Sequence, residues 1–164
     1  VIRKLLIPVI PLFFLFSCGE IPNRISAGNT DFDTIEKGTY SHCDRFFRPT
    51  DVRLLRFCNR ADFGRFRSEH NASKFPPPEI PEVDFQTEMI IAALDRPETS
   101  GGYSVTVNSL EEADNTIIIN ITKISPGKRC GTTCGMTRPF HIIRTAKSDK
   151  NFKTVLTEKI TICE

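Results

Sequence analysis

Met89-Ile90-Ile91-Ala92-Ala93-Leu94 carries no polar residue at six successive positions. The run is short for a helix, and a strand with one wet face would alternate apolar with polar. It therefore predicts a strand buried on both faces, at the centre of the fold. Downstream, Tyr103, Val105 and Val107 alternate with Ser104, Thr106 and Asn108, and Ile117, Ile119 and Ile121 alternate with Ile118, Asn120 and Thr122. Period-two alternation marks half-buried strands. The polar connection over residues 111–115 has the size of a hairpin loop. Residues 139–146 and 152–162 read as a last pair, joined by Lys147-Ser148-Asp149-Lys150-Asn151.

Upstream, residues 38–58 read as two strands. Tyr40, Phe46 and Phe47 mark the first and Val52, Leu54 and Leu55 the second, with turn chemistry in Arg48-Pro49-Thr50-Asp51. Asn59 offers a helix N-cap, Asp62 falls in the first turn, and Cys58 stands where a staple onto Phe63 would begin. A helix over residues 60–71 brings Phe63, Phe66 and His70 to one face, although Gly64 costs a helix interior up to about 1 kcal/mol. Phe75-Pro76-Pro77-Pro78-Glu79-Ile80-Pro81 can only be extended, and the strand after it needs partners, so it predicts a crossover inside one domain. The expected fold is α+β, an antiparallel β-meander of about five to seven strands packed on one short helix.

With 164 residues, 39% hydrophobic and 26% charged, the chain has a globular composition and room for one core. Its beginning is of another kind. Arg3 and Lys4 precede an apolar run over residues 5–16, followed by Ser17-Cys18-Gly19, the parts of a secretory leader. Twelve helical residues rise about 18 Å against a hydrocarbon core of about 30 Å, so the run is a poor membrane span. Leu15-Phe16-Ser17-Cys18 resembles the bacterial lipobox, in which the cysteine is acylated; an ordinary signal peptide with an incidental cysteine is the alternative. The expected organisation is a lipoprotein signal peptide over residues 1–17, a flexible tether over 18–37, with an early strand near Phe32 to Ile35 as a minor alternative, and a single domain over 38–164. Acyl chains on Cys18 would hold it in the bacterial cell envelope, on the periplasmic or cell-surface face. Cleavage before Cys18 would remove Arg3 and Lys4 and no acid, leaving 20 acidic residues balanced by as many basic ones. A neutral exported chain argues against nucleic acid as a partner, even where arginines stand beside phenylalanines over residues 45–67. Charge is segregated: residues 44–74 hold eight basic and four acidic, 75–123 two and nine, and 124–164 eight and three. Complementary packing, solvated faces or a docking patch would each produce this pattern.

Beyond Cys18 stand Cys43, Cys58, Cys130, Cys134 and Cys163, for which oxidation is the first expectation outside the cytosol. Cys130 with Cys134 would close a tight loop and Cys43 with Cys58 would staple two strands, leaving Cys163 over; Cys58 with Cys163 stays open. Zinc on Cys130, Cys134 and His141 is a lesser alternative, so neither metal nor cofactor is expected. His42, His70 and His141 stand in no metalloprotease motif, and there is no Gly-x-Ser-x-Gly elbow or phosphate-binding glycine loop. Asp84 and Glu88 on one strand would stand about 13 Å apart, too far to share a proton. This inventory does not support an enzyme.

Glu82-Val83-Asp84-Phe85-Gln86-Thr87-Glu88-Met89 and the apolar run after it resemble the C-terminal domain family of the protease complex subunit PrcB. The resemblance continues through Arg96-Pro97-Glu98-Thr99-Ser100-Gly101-Gly102-Tyr103, Ser125-Pro126-Gly127 and Thr137-Arg138-Pro139-Phe140-His141-Ile142-Ile143. It implies a non-catalytic role, since the namesake associates with a surface protease and supports its assembly or stability. The cysteine pair in the 126–139 loop departs from the family pattern. Residues 96–103, the 127–135 loop and Arg138-Pro139-Phe140 are also similar, in order, to the three loops of chagasin-like cysteine-peptidase inhibitors. The first of these lacks the leading Asn of that family.

Proline and glycine preset a loop's shape and lower the cost of ordering it on binding, although Gly101-Gly102 equally suits a plain hairpin turn. The expected partner-binding residues are Arg96, Pro97, Gly101, Gly102, Tyr103, Arg138, Pro139 and Phe140, with Tyr103, Arg138 and Phe140 as anchors. The partner is a protein, a protease if the resemblance holds. A peptidase inhibitor using loops 96–103 and 126–140 is the alternative.

Overall fold

The run from Met89 to Leu94 is buried along its whole length, and its two faces meet different layers. The computed structural model describes residues 28–40, 51–72, 74, 76, 78–79 and 81–163. Among these run β1 (Gly28–Thr30), β2 (Phe32–Tyr40), β3 (Arg53–Phe57), α1 (Arg60–His70), β4 (Glu88–Leu94), β5 (Glu98–Ser100), β6 (Ser104–Ala113), β7 (Thr116–Pro126), β8 (Cys134–Ala146) and β9 (Asn151–Thr161). One sheet has the order β1-β6-β7-β9 and the other β2-β8-β4-β3, with β5 added at the start of β8. Pairing is antiparallel throughout except between β7 and β9. Among the described residues no helix is long and apolar enough to cross a membrane.

Met89, Ile91 and Ala93 face the other sheet, where they pack with Val105, Val107 and Leu110 of β6 and Ile117, Ile119 and Ile121 of β7. Ile90, Ala92 and Leu94 point the opposite way and join Phe140, Ile142, Phe57, Val83 and Phe63 of α1. The molecule therefore has three layers, sheet on sheet on helix, and β4 lies in the middle one. Truncating a side chain such as Ile91 to alanine in such a core costs about 2–5 kcal/mol.

A polar tie crosses the inter-sheet core. β6 is irregular between Val107 and Ser109, where its register against β7 shifts. Beside that bulge the Val107 amide donates to His141 Nδ1 of the facing sheet at 2.9 Å. A ring nitrogen that accepts carries no proton, so Nε2 holds it and donates to Thr34 Oγ1 at 2.9 Å. Burial, with Lys37 adding to it, pushes His141 down to about 4. His70, packed edge-on against Phe140, is likewise pushed down to about 4, chiefly by burial.

Asn59 caps α1 as expected, its side chain accepting from the Asp62 amide at 2.9 Å. The staple does not form: Cys58 packs toward the inter-sheet cluster and Phe63 toward the helix-side cluster. Residues 84–87 are a turn, with Asp84 Oδ1 accepting from the Gln86 amide, and Glu88 Oε2 accepts from the Asp84 amide at 3.1 Å, so the two acids do not share a strand.

Several expectations are corrected. Residues 28–30 and 32–37, expected as tether, lie in β1 and β2, so the minor alternative of an early strand near Phe32 to Ile35 is the one that holds, and β2 pairs with β8. Phe32 and Ile35, three residues apart, face different cores, and the bulge between Thr34 and Glu36 turns Glu36 to the helix side along with Ile35, which breaks the two-residue period. The meander is broken at its end, because β8 already has β2 on one side and β4 on the other. With no edge left there, β9 crosses to the other sheet and runs parallel to β7 instead of pairing with β8. The hairpin between β6 and β7 is tighter than expected, turning on Asp114-Asn115 alone with Asp114 at φ 46°. The leader, Cys18, the first residues of the tether and the strand expected around Phe46-Phe47 lie outside the described residues.

Stability should fall as pH drops from about 6.5 toward 4. In that window the unfolded chain takes up protons that His141 and His70, both pushed down to about 4, refuse in the fold. Melting curves of His141→Gln should show a flatter decline over the same window, and an unchanged slope would contradict the assignment. Gly64 is helical with open space around a would-be Cβ, so Gly64→Ala should stabilise by about 0.4–1 kcal/mol in chemical denaturation.

Candidate functional site

β4, β7 and β9 all end at the same end of the sandwich at which β6 and β8 begin. The connections 95–103 and 127–133 and the C-terminal residues 162–163 therefore gather there. They are bound to one another. β5 pairs with β8 at Glu98↔Thr137 and Ser100↔Cys134, and Thr137 Oγ1 donates to the Ser100 carbonyl at 2.7 Å. The Gly101 amide donates to the Thr133 carbonyl at 3.0 Å, and the Gly127 amide to the Thr161 carbonyl at 3.0 Å. Gly102 sits at φ 91°, and a Cβ there would press on Pro126 at 3.1 Å, so this close approach of loop on strand needs glycine.

A buried charge network holds the 95–103 loop from below. Lys123 Nζ, at an inward position of β7, donates to Asp95 Oδ1 at 2.9 Å and to Glu98 Oε1 at 3.4 Å. Arg96 Nε donates to the same Glu98 oxygen at 2.8 Å, from a half-exposed side chain. Asp95, fully buried, is also gripped by its backbone: its amide donates to the Pro139 carbonyl and its carbonyl accepts from Arg138 Nε, both at 2.9 Å. Charges buried this deeply stabilise only as a complete set, and removing one partner strands the rest.

A disulfide closes the same end, joining Cys130 to Cys163 with Cα atoms 5.1 Å apart. The expected Cys130–Cys134 pair is thus corrected: Cys134 is an exposed free thiol, and Cys58 is free as well. Cys163 at the end of the chain lies beside Cys130 because β9 runs parallel to β7, a topology that the hairpin reading conceals. Cys43 lies outside the described residues. With Cys130 oxidised and His141 facing the inter-sheet core, Cys130, Cys134 and His141 do not form one ligand set.

The residues expected to bind a partner divide into two groups. Arg96 and Gly102 are exposed, and Pro97 and Tyr103 are half-buried. Gly101 is buried against Thr133. Arg138, Pro139 and Phe140 are buried, so these anchors are corrected to supports: Arg138 clamps Asp95, and Phe140 belongs to the helix-side core. The surface is made instead by residues that the loop motifs did not single out. Met136 is 46% exposed, Ile160 72% and Ile162 89%, with Lys128 and Arg129 exposed near them.

A second charged cluster lies against α1. There Glu36 accepts from Arg67 and Lys74; burial alone would raise its carboxyl, but these two hydrogen bonds hold it below the ordinary value. Cavities of about 360 and 590 Å³ flank Arg67, and no histidine or cysteine lines them among the described residues.

The architecture defines a class: a β-sandwich backed by one helix, with loops braced together at one end. Residues 89–146, from within β4 to the end of β8, match the model of the family described as PrcB C-terminal, the family that the sequence resembles. No curated protein and no solved structure matches the chain.

Lys123→Met should cost about 3–5 kcal/mol in denaturant unfolding, because Asp95 and Glu98 lose their buried cation. Cys163→Ser should cost about 3–4 kcal/mol for a bridge spanning 33 residues. Before reduction, iodoacetamide should label Cys134 in the native protein and spare Cys130 and Cys163.

Proposed function

We propose that this is a non-catalytic lipoprotein of the bacterial cell envelope, anchored through Cys18, that binds a protein partner with its braced loop end. The partner chemistry that the PrcB match favours is a secreted or surface protease, whose assembly or stability the domain would support. One observation carries the reading. Exposed Met136, Ile160 and Ile162 lie with Arg96, Lys128 and Arg129 at an end that a disulfide and a buried ion network hold in one shape. Pre-formed surfaces of this kind lose little entropy on binding, and apolar groups with arginine suit a contact centre.

A peptidase inhibitor is the second reading, favoured by the direct pairing of residues 98–100 with the start of β8 at one end. Burial of Arg138, Pro139 and Phe140 weighs against it, since an inhibitory wedge must project.

Crosslinked capture from native membranes, followed by mass spectrometry, should recover a partner with the wild type. Met136→Asp combined with Ile162→Asp, folded by circular dichroism, should lose it. An unchanged partner list would sink the assignment. Wild-type protein at micromolar concentration should leave cysteine and serine peptidases active, and inhibition there would favour the second reading.

A further inference from the structure

We propose that the free edge of β9 receives an extended segment of the protein partner, acidic on one face and apolar on the other, as a fifth strand of the β1-β6-β7-β9 sheet. The inference rests on the partner-binding function and names where that partner would engage.

The four edges of the sandwich differ. β1 is three residues long, β3 is five, and β2 is bulged between Thr34 and Glu36. Short strands and bulges are the usual protection of sheet edges. β9 has neither: it runs eleven residues without proline, in unbroken register with β7 from Thr116↔Asn151 to Pro126↔Thr161. Among the described residues nothing pairs with its other edge. A long, regular edge presents a row of backbone donors and acceptors that another strand can satisfy.

Side chains say what kind of strand fits. In-register pairing turns Phe152 and Leu156 with Ile117 and Ile121 toward the inter-sheet core, and Ile160 follows on that face, with exposed Thr154 and Glu158 between them. The facing edge strand β3 is short, and Ile160 is 72% exposed. The inward positions of an added strand would pass Thr154, Leu156, Glu158 and Ile160, so apolar side chains there would lie beside Leu156 and Ile160 with Glu158 between these two. On the opposite face stand Lys153, Val155, Thr157 and Lys159, all exposed, and neither lysine takes part in an ion pair among the described residues. Carboxylates six residues apart on the added strand would meet both lysines, whereas a second β9 would bring like charges to the same edge.

The probe is the palindromic peptide acetyl-Glu-Val-Thr-Val-Thr-Val-Glu-amide, which offers the same faces in either strand direction. Titrated into the intact domain and followed by amide NMR and hydrogen exchange, it should protect those β9 amides that do not bond to β7. Lys153→Glu with Lys159→Glu should weaken binding about tenfold, and a peptide with lysines in place of both glutamates should restore it. Equal binding of the acidic and basic peptides to the wild type would overturn the proposal, as would protection confined to other strands. The native partner separates the two claims. Capture lost in the Met136→Asp, Ile162→Asp protein but kept by the β9 charge variant would overturn the edge site and leave the proposed function standing.

Discussion

A strand that is apolar at six successive positions has to be covered twice, once on each face. In this protein β4 is that strand, and the requirement sets the order of the layers. Its odd-numbered side chains demand a second sheet and its even-numbered ones a helix, so neither α1 nor the β6–β7 hairpin can be removed without wetting half of β4. At roughly 25 cal/mol per Å² of apolar surface, that burial dominates every polar contact in the molecule. The polar groups that share the interior are then confined to places where partners exist. His141 meets a bulge-side amide and a hydroxyl, and Lys123 meets two carboxylates.

Much of this was readable in the residues. The buried strand, the two alternating strands after it and the Asn59-capped helix follow from apolar period and capping chemistry. What escaped has physical causes. A bulge turns Glu36 to the same side as Ile35 and breaks the two-residue period that would mark β2. The partner of β9 depends on which sheet edge is vacant, a property of the assembled sheets that no local pattern carries, and the Cys130–Cys163 bridge follows from it. Lys123 did leave a trace: it continues the inward series Ile117, Ile119, Ile121, and a lysine at such a position calls for buried acids. Arg138-Pro139-Phe140 reads as a binding motif only while its burial is unknown.

The loop end combines rigid support with an exposed apolar and cationic surface. Disulfide, charge network and β5 pairing fix the backbone, while apolar and cationic side chains remain in water. The buried His141 and His70 are engaged in structural hydrogen bonds and packing. Under the proposed function, a stiff frame presenting a fixed patch would lower the ordering cost of binding a protein partner.

Site-specific photo-crosslinking in the native envelope tests this account most directly. A crosslinking residue would be placed in turn at positions 128, 136, 153 and 159 on the loop end and β9, and at 65 and 69 on the exposed face of α1. The account predicts adducts to one protein partner from the first group and none from the second. Adducts from α1 alone would contradict it.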